Sequence, residues 1–366
     1  MVEVSPVPTD DPASRARPAV RLYALDGLRF CAALAVLFFH FTARRNSAWG
    51  QPVETVFPNL SYITGLGAFG VDLFFVISGF VILMTAWNAN ITKFVASRVS
   101  RLFPAYWAGV ILSAFLLIVV WPYKSVSFTQ AATNMTLVQR AFGVGDVDGV
   151  YWTLWAELRF YLLIAVFVLI GITTRRVLAF CIIWPIMGGI AMTQGSQVLA
   201  TVLVAEWAPL FSAGMALFVV KREPRNLAAW LTVAFTTLLA GGYSGQITLD
   251  TTINGLTNRT FPDIVGWVIP LIAIALVGIF TMTRFSQWGG RRMIVLGALT
   301  YPLYLLHEYW GWWMIHLLEG KLPTYAVLLI AMAFSIVLAW LVYTLVEKRT
   351  VSRMRRRLEQ DLAKLA

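Results

Sequence analysis

The chain has 366 residues, 59% of them hydrophobic and only 13% charged, with a mean hydropathy of +0.73. That composition excludes an ordinary soluble domain and belongs to a polytopic helical membrane protein. The formal charge of +11 is read as lysine and arginine gathered in cytoplasmic loops, not as nucleic-acid binding. Two cysteines and three histidines, without HExxH or CxxC spacing, argue against a disulfide framework or a metal site.

Residues 1–20 are polar and rich in Pro, Asp and Arg, and read as a disordered cytoplasmic tail. Ten runs are each long enough to cross about 30 Å of hydrocarbon. They fall at approximately 24–43, 65–86, 104–122, 150–171, 177–194, 198–220, 227–243, 264–283, 294–316 and 323–345. The expected fold class is therefore all-α, a polytopic membrane helix bundle over residues 21–347, with a basic cytoplasmic tail at 348–366. With both termini inside, cytoplasmic segments hold 21 of the 29 lysines and arginines and outer loops hold 6, the asymmetry the positive-inside rule requires. The basic tail suits anionic lipid headgroups as partner.

The first run, LYALDGLRFCAALAVLFFHF, sets Arg29 and His40 eleven residues apart. At 3.6 residues per turn both point from one helix face, roughly 16 Å apart along the axis. Asp26 lies about 40° off that face, whereas Cys31 lies about half a turn round from His40. Ionisable groups at membrane depth cost roughly 2.5–3.5 kcal/mol on insertion scales and default to a functional reading. The second run, GAFGVDLFFVISGFVI, carries Asp72 and Ser78, with Gly67, Gly70 and Gly79 permitting close helix approach.

Just before the third run, SRVSRLFPAYW supplies Arg98 and Arg101, with Pro104 at the expected helix start. Together with Arg29 they put three guanidiniums at one rim, a phosphate-binding arrangement. The outer loop 123–149 contains DVDG, too short a run to argue for calcium. The fourth run, YWTLWAELRFYLL, aligns Thr153, Glu157 and Tyr161 on one face. The ninth, LGALTYPLYLLHEYWGW, spaces Tyr301, Tyr304 and His307 by three, and Glu308 follows. By helix rise, His40, Asp72, Glu157 and His307 reach one level in the outer half, which predicts a polar cavity walled in part by Glu206.

These stretches resemble the membrane-bound acyltransferase family 3 over about 22–347. The resemblance rests on LDGLR, then ten residues and a histidine (Arg29 to His40), GVDLFFVISGF, RVSRLFPAYW, WTLWAELRFY, FSAGMAL with Gly214, and YPLYLLH. It implies transfer of an acyl group, most commonly acetyl, from cytoplasmic acyl-CoA to a hydroxyl of a glycan, glycolipid or glycosylated small molecule. It implies a multi-pass protein of the cell membrane with acyl-CoA as donor and no metal. On that view Arg29, Arg98 and Arg101 hold the acyl-CoA phosphates. His40 acts as general base or as an acyl-carrying nucleophile, and Asp72 or Glu157 balances the imidazole. Ser78, Tyr301 and Tyr304 are candidate donors to the oxyanion, and Asp26 and His307 are candidate substrate contacts. The rival reading of the same polar residues is a transporter of a sugar lipid or proton.

Overall fold

The structure, a computed structural model, describes residues 22–364. The segment expected to be a disordered tail lies outside the described residues.

Ten principal helices follow the ten apolar runs: α1 (Tyr23–Thr42), α2 (Gly70–Ala86), α3 (Ile91–Phe115), α4 (Trp152–Ile170), α5 (Thr174–Thr193), α6 (Ala208–Arg222), α7 (Leu227–Leu239), α8 (Ile264–Met282), α9 (Arg292–Leu318) and α10 (Thr324–Val342). An eleventh, α11 (Lys348–Ala363), continues α10 through a π-helical segment and packs along α3. Eight helical stretches of the described residues are long and apolar enough to cross a membrane. Two of the ten fall outside that set. α6 has only 15 residues, and α9 carries His307, Glu308 and His316 among its apolar positions. The protein is an all-α membrane bundle. Rows such as Leu162, Val166 and Leu169 on α4 and Ile183, Ile186 and Ile190 on α5 stay exposed, the face a helix turns to lipid rather than to water.

Two boundaries differ from the sequence expectation. α3 begins at Ile91, not at Pro104, because the Asn90 side chain caps it by accepting the Lys93 N–H at 2.9 Å. Pro104 therefore sits inside the helix, leaving the Ser100 carbonyl without its i+4 donor, and Arg98 and Arg101 stand on helix rather than on the loop before it. The run 198–220 is broken into a short helix, Gln197–Val202, and α6, where Val204 takes a left-handed φ of 50° and Pro209 opens the next turn. The basic segment after residue 347 forms a helix through Ala363.

α1 lies between α2 and α9, and α6 packs on α2. The α2–α6 contact is backbone on backbone. A methyl added at Gly79 would lie 2.1 Å from the Phe211 carbonyl oxygen, and one at Gly214 would lie 2.0 Å from that of Val76. Small residues let apolar helices approach this closely, and that approach fixes which side of α2 faces α4.

Candidate active site

Near the C-terminal end of α1, His40 is buried with 6% of its surface exposed. Its Nδ1 lies 2.8 Å from the Val36 carbonyl one turn back. A carbonyl oxygen only accepts, so the proton is assigned to Nδ1. His307, on α9, is held in the same way. Its Nδ1 donates to the Leu303 and Tyr304 carbonyls at 3.1 and 2.9 Å. The unprotonated Nε2 of His307 then accepts from His40 Nδ1 at 3.2 Å, and the two rings meet nearly at right angles with centroids 4.8 Å apart. Three backbone carbonyls on two helices thus fix both tautomers, and His40 Nε2 is left as a bare lone pair.

That nitrogen looks towards Glu308, whose Oε2 is 3.6 Å away and whose side chain is fully enclosed. Glu308 Oε1 accepts from Arg44 Nη1 at 2.5 Å. Trp312, one turn along α9 from Glu308, donates its Nε1–H to the His40 carbonyl at 2.9 Å and lies under the Arg44 guanidinium at 5.3 Å. Behind Glu308 stand Asp148 and Lys124, from the segment joining α3 to α4. Burial, with the Glu308 carboxylate beside it, pushes the Asp148 carboxyl well above the usual carboxylate range. Desolvation lowers the Lys124 ammonium, which donates to the Asp146 carbonyl at 2.9 Å.

The expected convergence of four ionisable side chains is therefore corrected. His40 and His307 meet. Asp72, at the start of α2, instead accepts from the Thr248 hydroxyl at 3.0 Å. Glu157 accepts from Ser78 at 3.2 Å and from Tyr161 at 2.6 Å. Helix rise sets depth but not rotation, and α2 and α4 are rotated to serve those partners. Glu206 lines a separate cleft of about 560 Å³ together with Arg140, Trp155 and Arg159. The hydroxyls expected to face an oxyanion are also engaged with protein. Tyr301 donates to the Leu102 carbonyl at 2.9 Å. Tyr304 accepts from Thr153 at 2.9 Å and donates to the Val150 carbonyl at 3.4 Å. Ser78 donates to Glu157.

A second polar cluster gathers at the N-terminal end of α1. Arg29, half-buried, lies within electrostatic reach of Arg101, Glu157, Asp26 and Tyr161. The Arg98 guanidinium lies over the Tyr161 ring at 5.8 Å, and its buried Nε has no partner. Exposed Arg101 approaches Glu347 at 4.0 Å. Asp26 packs against Gly297 at the start of α9. The two clusters are joined along α4, where Tyr161, Glu157 and Thr153 recur at four-residue spacing. Tyr161 and Glu157 stand beside Arg29, and Thr153 reaches Tyr304, whose ring is 5.8 Å from that of His307.

Glu308, Arg44 and Trp312 escaped the sequence reading as members of this site. No helical spacing tied Arg44 to His40, because α1 ends at Thr42.

Comparison with known proteins follows the same lines. A family model described as an acyltransferase domain matches residues 22–344. The acyltransferase MdmB of Streptomyces mycarofaciens is 35% identical over 102 residues, which cover 27% of this chain and 24% of that protein. The exopolysaccharide production protein ExoZ of Rhizobium meliloti (strain 1021) is 32% identical over 107 residues, covering 27% of this chain and 34% of that protein. The matches thus span a quarter to a third of these curated relatives. No solved structure matches the chain.

Proposed function

The chain belongs to the acyltransferase 3 family, and from that premise we propose that it is an acyl-CoA-dependent O-acyltransferase of the cell membrane, moving an acyl group, acetyl in the first instance, to a hydroxyl of a carbohydrate, glycolipid or glycosylated metabolite. The observation that carries the reading is the bare Nε2 of His40, buried and held in one tautomer by fixed carbonyls. Such a nitrogen is ready to take a hydroxyl proton, the task of a general base.

In this scheme acyl-CoA arrives from the cytoplasm, and Arg29, Arg98 and Arg101 hold its phosphates. The arrangement supports this by placing two half-buried arginines and an exposed one at one end of α1, with Arg98 Nε lacking a protein partner. The pantetheine arm follows the polar stripe of α4 over the roughly 16 Å that separates Arg29 from His40 on α1. The acceptor hydroxyl gives its proton to His40 Nε2 as its oxygen bonds to the thioester carbonyl carbon. The carbon–sulfur bond then breaks, and the proton passes from Nε2 to the leaving thiolate, yielding ester and free CoA. A polysaccharide-linked relative and an acyltransferase relative both suit a hydroxyl acceptor.

The test is mass spectrometry of envelope glycans and secreted metabolites from cells lacking the protein, cells carrying it and cells carrying His40→Ala at equal membrane abundance. An acyl mass shift is expected only with the unaltered chain. A His40→Ala strain that makes product at the unaltered rate overturns the assignment.

A further inference from the structure

Glu308 is a carboxylate without a role in the scheme above. It is fully enclosed, and one of its oxygens, Oε1, is taken by Arg44 at 2.5 Å. The other, Oε2, has no hydrogen-bond partner and stands 3.6 Å from His40 Nε2. A buried carboxylate oxygen without a donor at hydrogen-bond distance is costly; the nitrogen it faces has no proton at rest, and the Asp148 carboxyl behind Glu308 interacts with the same side chain. The surroundings hold this arrangement rather than relieve it. The segment before α4 passes so close that a methyl on Gly149 would sit 2.8 Å from Oε2. Trp312 binds the His40 carbonyl and underlies the Arg44 guanidinium, so ring, carboxylate and guanidinium are tied into one unit. Asp72 and Glu157, the other carboxylates considered for His40, are engaged with Thr248 and with Ser78 and Tyr161.

We propose that Glu308, fixed by Arg44, is the positioning residue that balances the positive charge His40 acquires when it takes the acceptor proton; this rests on the reading of His40 as general base. As the hydroxyl proton reaches Nε2, the imidazole becomes an imidazolium, and Oε2 gains a charged N–H neighbour. When the proton leaves for the thiolate, the contact is lost again. The interaction thus exists only while charge is displaced, and only interactions stronger in the transition state than in the ground state accelerate a reaction. Arg44 holds the carboxylate in place between turnovers, so no reorganisation is needed during the step.

The experiment uses membrane vesicles containing the full-length chain, supplied with radiolabelled acetyl-CoA, with transfer to endogenous acceptor as readout. Glu308→Gln is expected to lower the maximal rate about 100-fold with the KM for acetyl-CoA unchanged. Glu308→Asp recovers part of the loss, and Arg44→Gln falls between the two. Rates are taken per folded protein in the membrane, because a merely structural role would lower the amount of folded protein and leave the rate per folded molecule unchanged. A Glu308→Gln rate within about threefold of the unaltered rate, a difference of under 1 kcal/mol, overturns the proposal. If unaltered vesicles transfer no label, it is the acyl-transfer reading that fails, and a second arm decides on Glu308. With three histidines in the chain, nitrogen-15 spectra of histidine-labelled protein in lipid discs are assignable using His40→Asn. Across an acid titration His40 Nε2 is expected to take up its proton at lower pH in Glu308→Gln than in the unaltered protein, because the neutral amide no longer offsets the imidazolium charge. An equal midpoint in both proteins overturns the proposal.

Discussion

Replacing Gly79 or Gly214 by alanine probes the contact that sets the rotation of α2. The added Cβ at Gly79 would lie 2.1 Å from the Phe211 carbonyl oxygen and 2.9 Å from its carbon; at Gly214 it would lie 2.0 Å from the Val76 oxygen and 2.8 Å from the Phe80 nitrogen. Carbon and carbonyl oxygen meet comfortably at about 3.3–3.6 Å, so the helices must part by about 1 Å or more. A gap of that size forfeits a quarter to a half of the dispersion well at each separated contact. Overpacking of this kind costs about 1–3 kcal/mol, and the upper part of the range is expected because the obstacle is backbone that no rotamer change can clear. The double variant should cost less than the sum of the two, since helices already parted accommodate the second methyl. Gly189, on α5, is the control: a methyl there meets nothing within 4 Å, and alanine should gain about 0.5–1 kcal/mol from helix propensity. Unfolding midpoints in a single detergent check all four proteins. Midpoints for Gly79→Ala and Gly214→Ala equal to that of the unaltered chain would refute the reasoning.

Arg29→Ala should raise the KM for acyl-CoA about tenfold, the equivalent of 1.4 kcal/mol, and leave the acceptor KM unmoved; a titration of each substrate at saturation of the other checks it, and an unchanged donor KM counts against the phosphate role. Asp148→Asn tests the buried carboxyl between α3 and α4. Its pKa is raised on folding, so between its unfolded and folded pKa the native state binds more protons and stability falls as pH rises. Asparagine keeps an oxygen for the Val150 N–H, which donates to Asp148 at 3.2 Å. The variant should therefore lose that decline, and a thermal-midpoint profile against pH as steep as that of the unaltered chain would contradict it.

Much of this arrangement was legible in the residue order, and what was not has a common cause. The Arg29–His40 relation lies within one helix, and 3.6 residues per turn suffices to place both side chains on a face. The Thr153, Glu157 and Tyr161 stripe was likewise readable from period alone. Partnerships across helices were not. Asp72 and Glu157 have the expected positions along their helices, but the direction in which each points depends on how α2 and α4 are rotated, and that is decided by contacts such as Gly79 against Phe211. The start of α3 was misplaced for a different reason. Pro104 is a strong local signal for a first turn, but the Asn90 cap together with continued burial of Phe94, Ala96 and Ser100 overrides it. Glu308 stood in plain view beside His307, yet adjacent helical residues point about 100° apart, so nothing in the sequence indicated that both would converge on His40 once α1 packed against α9.

The same geometry separates the enzyme from the transporter built on equal residues. A proton relay through imidazole must receive a proton on one nitrogen and release it from the other, which requires the ring to exchange tautomer or to turn. Both Nδ1 atoms here are held by carbonyls of their own helices, Val36 for His40 and Leu303 and Tyr304 for His307. Moving either proton forfeits a buried hydrogen bond, about 0.5–1.5 kcal/mol, and turns the Nδ1 lone pair against a carbonyl oxygen; doing so on both rings doubles that cost. A fixed tautomer hinders conduction but suits a base that takes and returns a proton on the same Nε2. Proteoliposomes carrying the chain and a pH-sensitive dye should therefore hold an imposed proton gradient as long as empty liposomes do. A leak that disappears with His40→Ala would show that the ring passes protons from one nitrogen to the other, and the argument from pinned tautomers would fall.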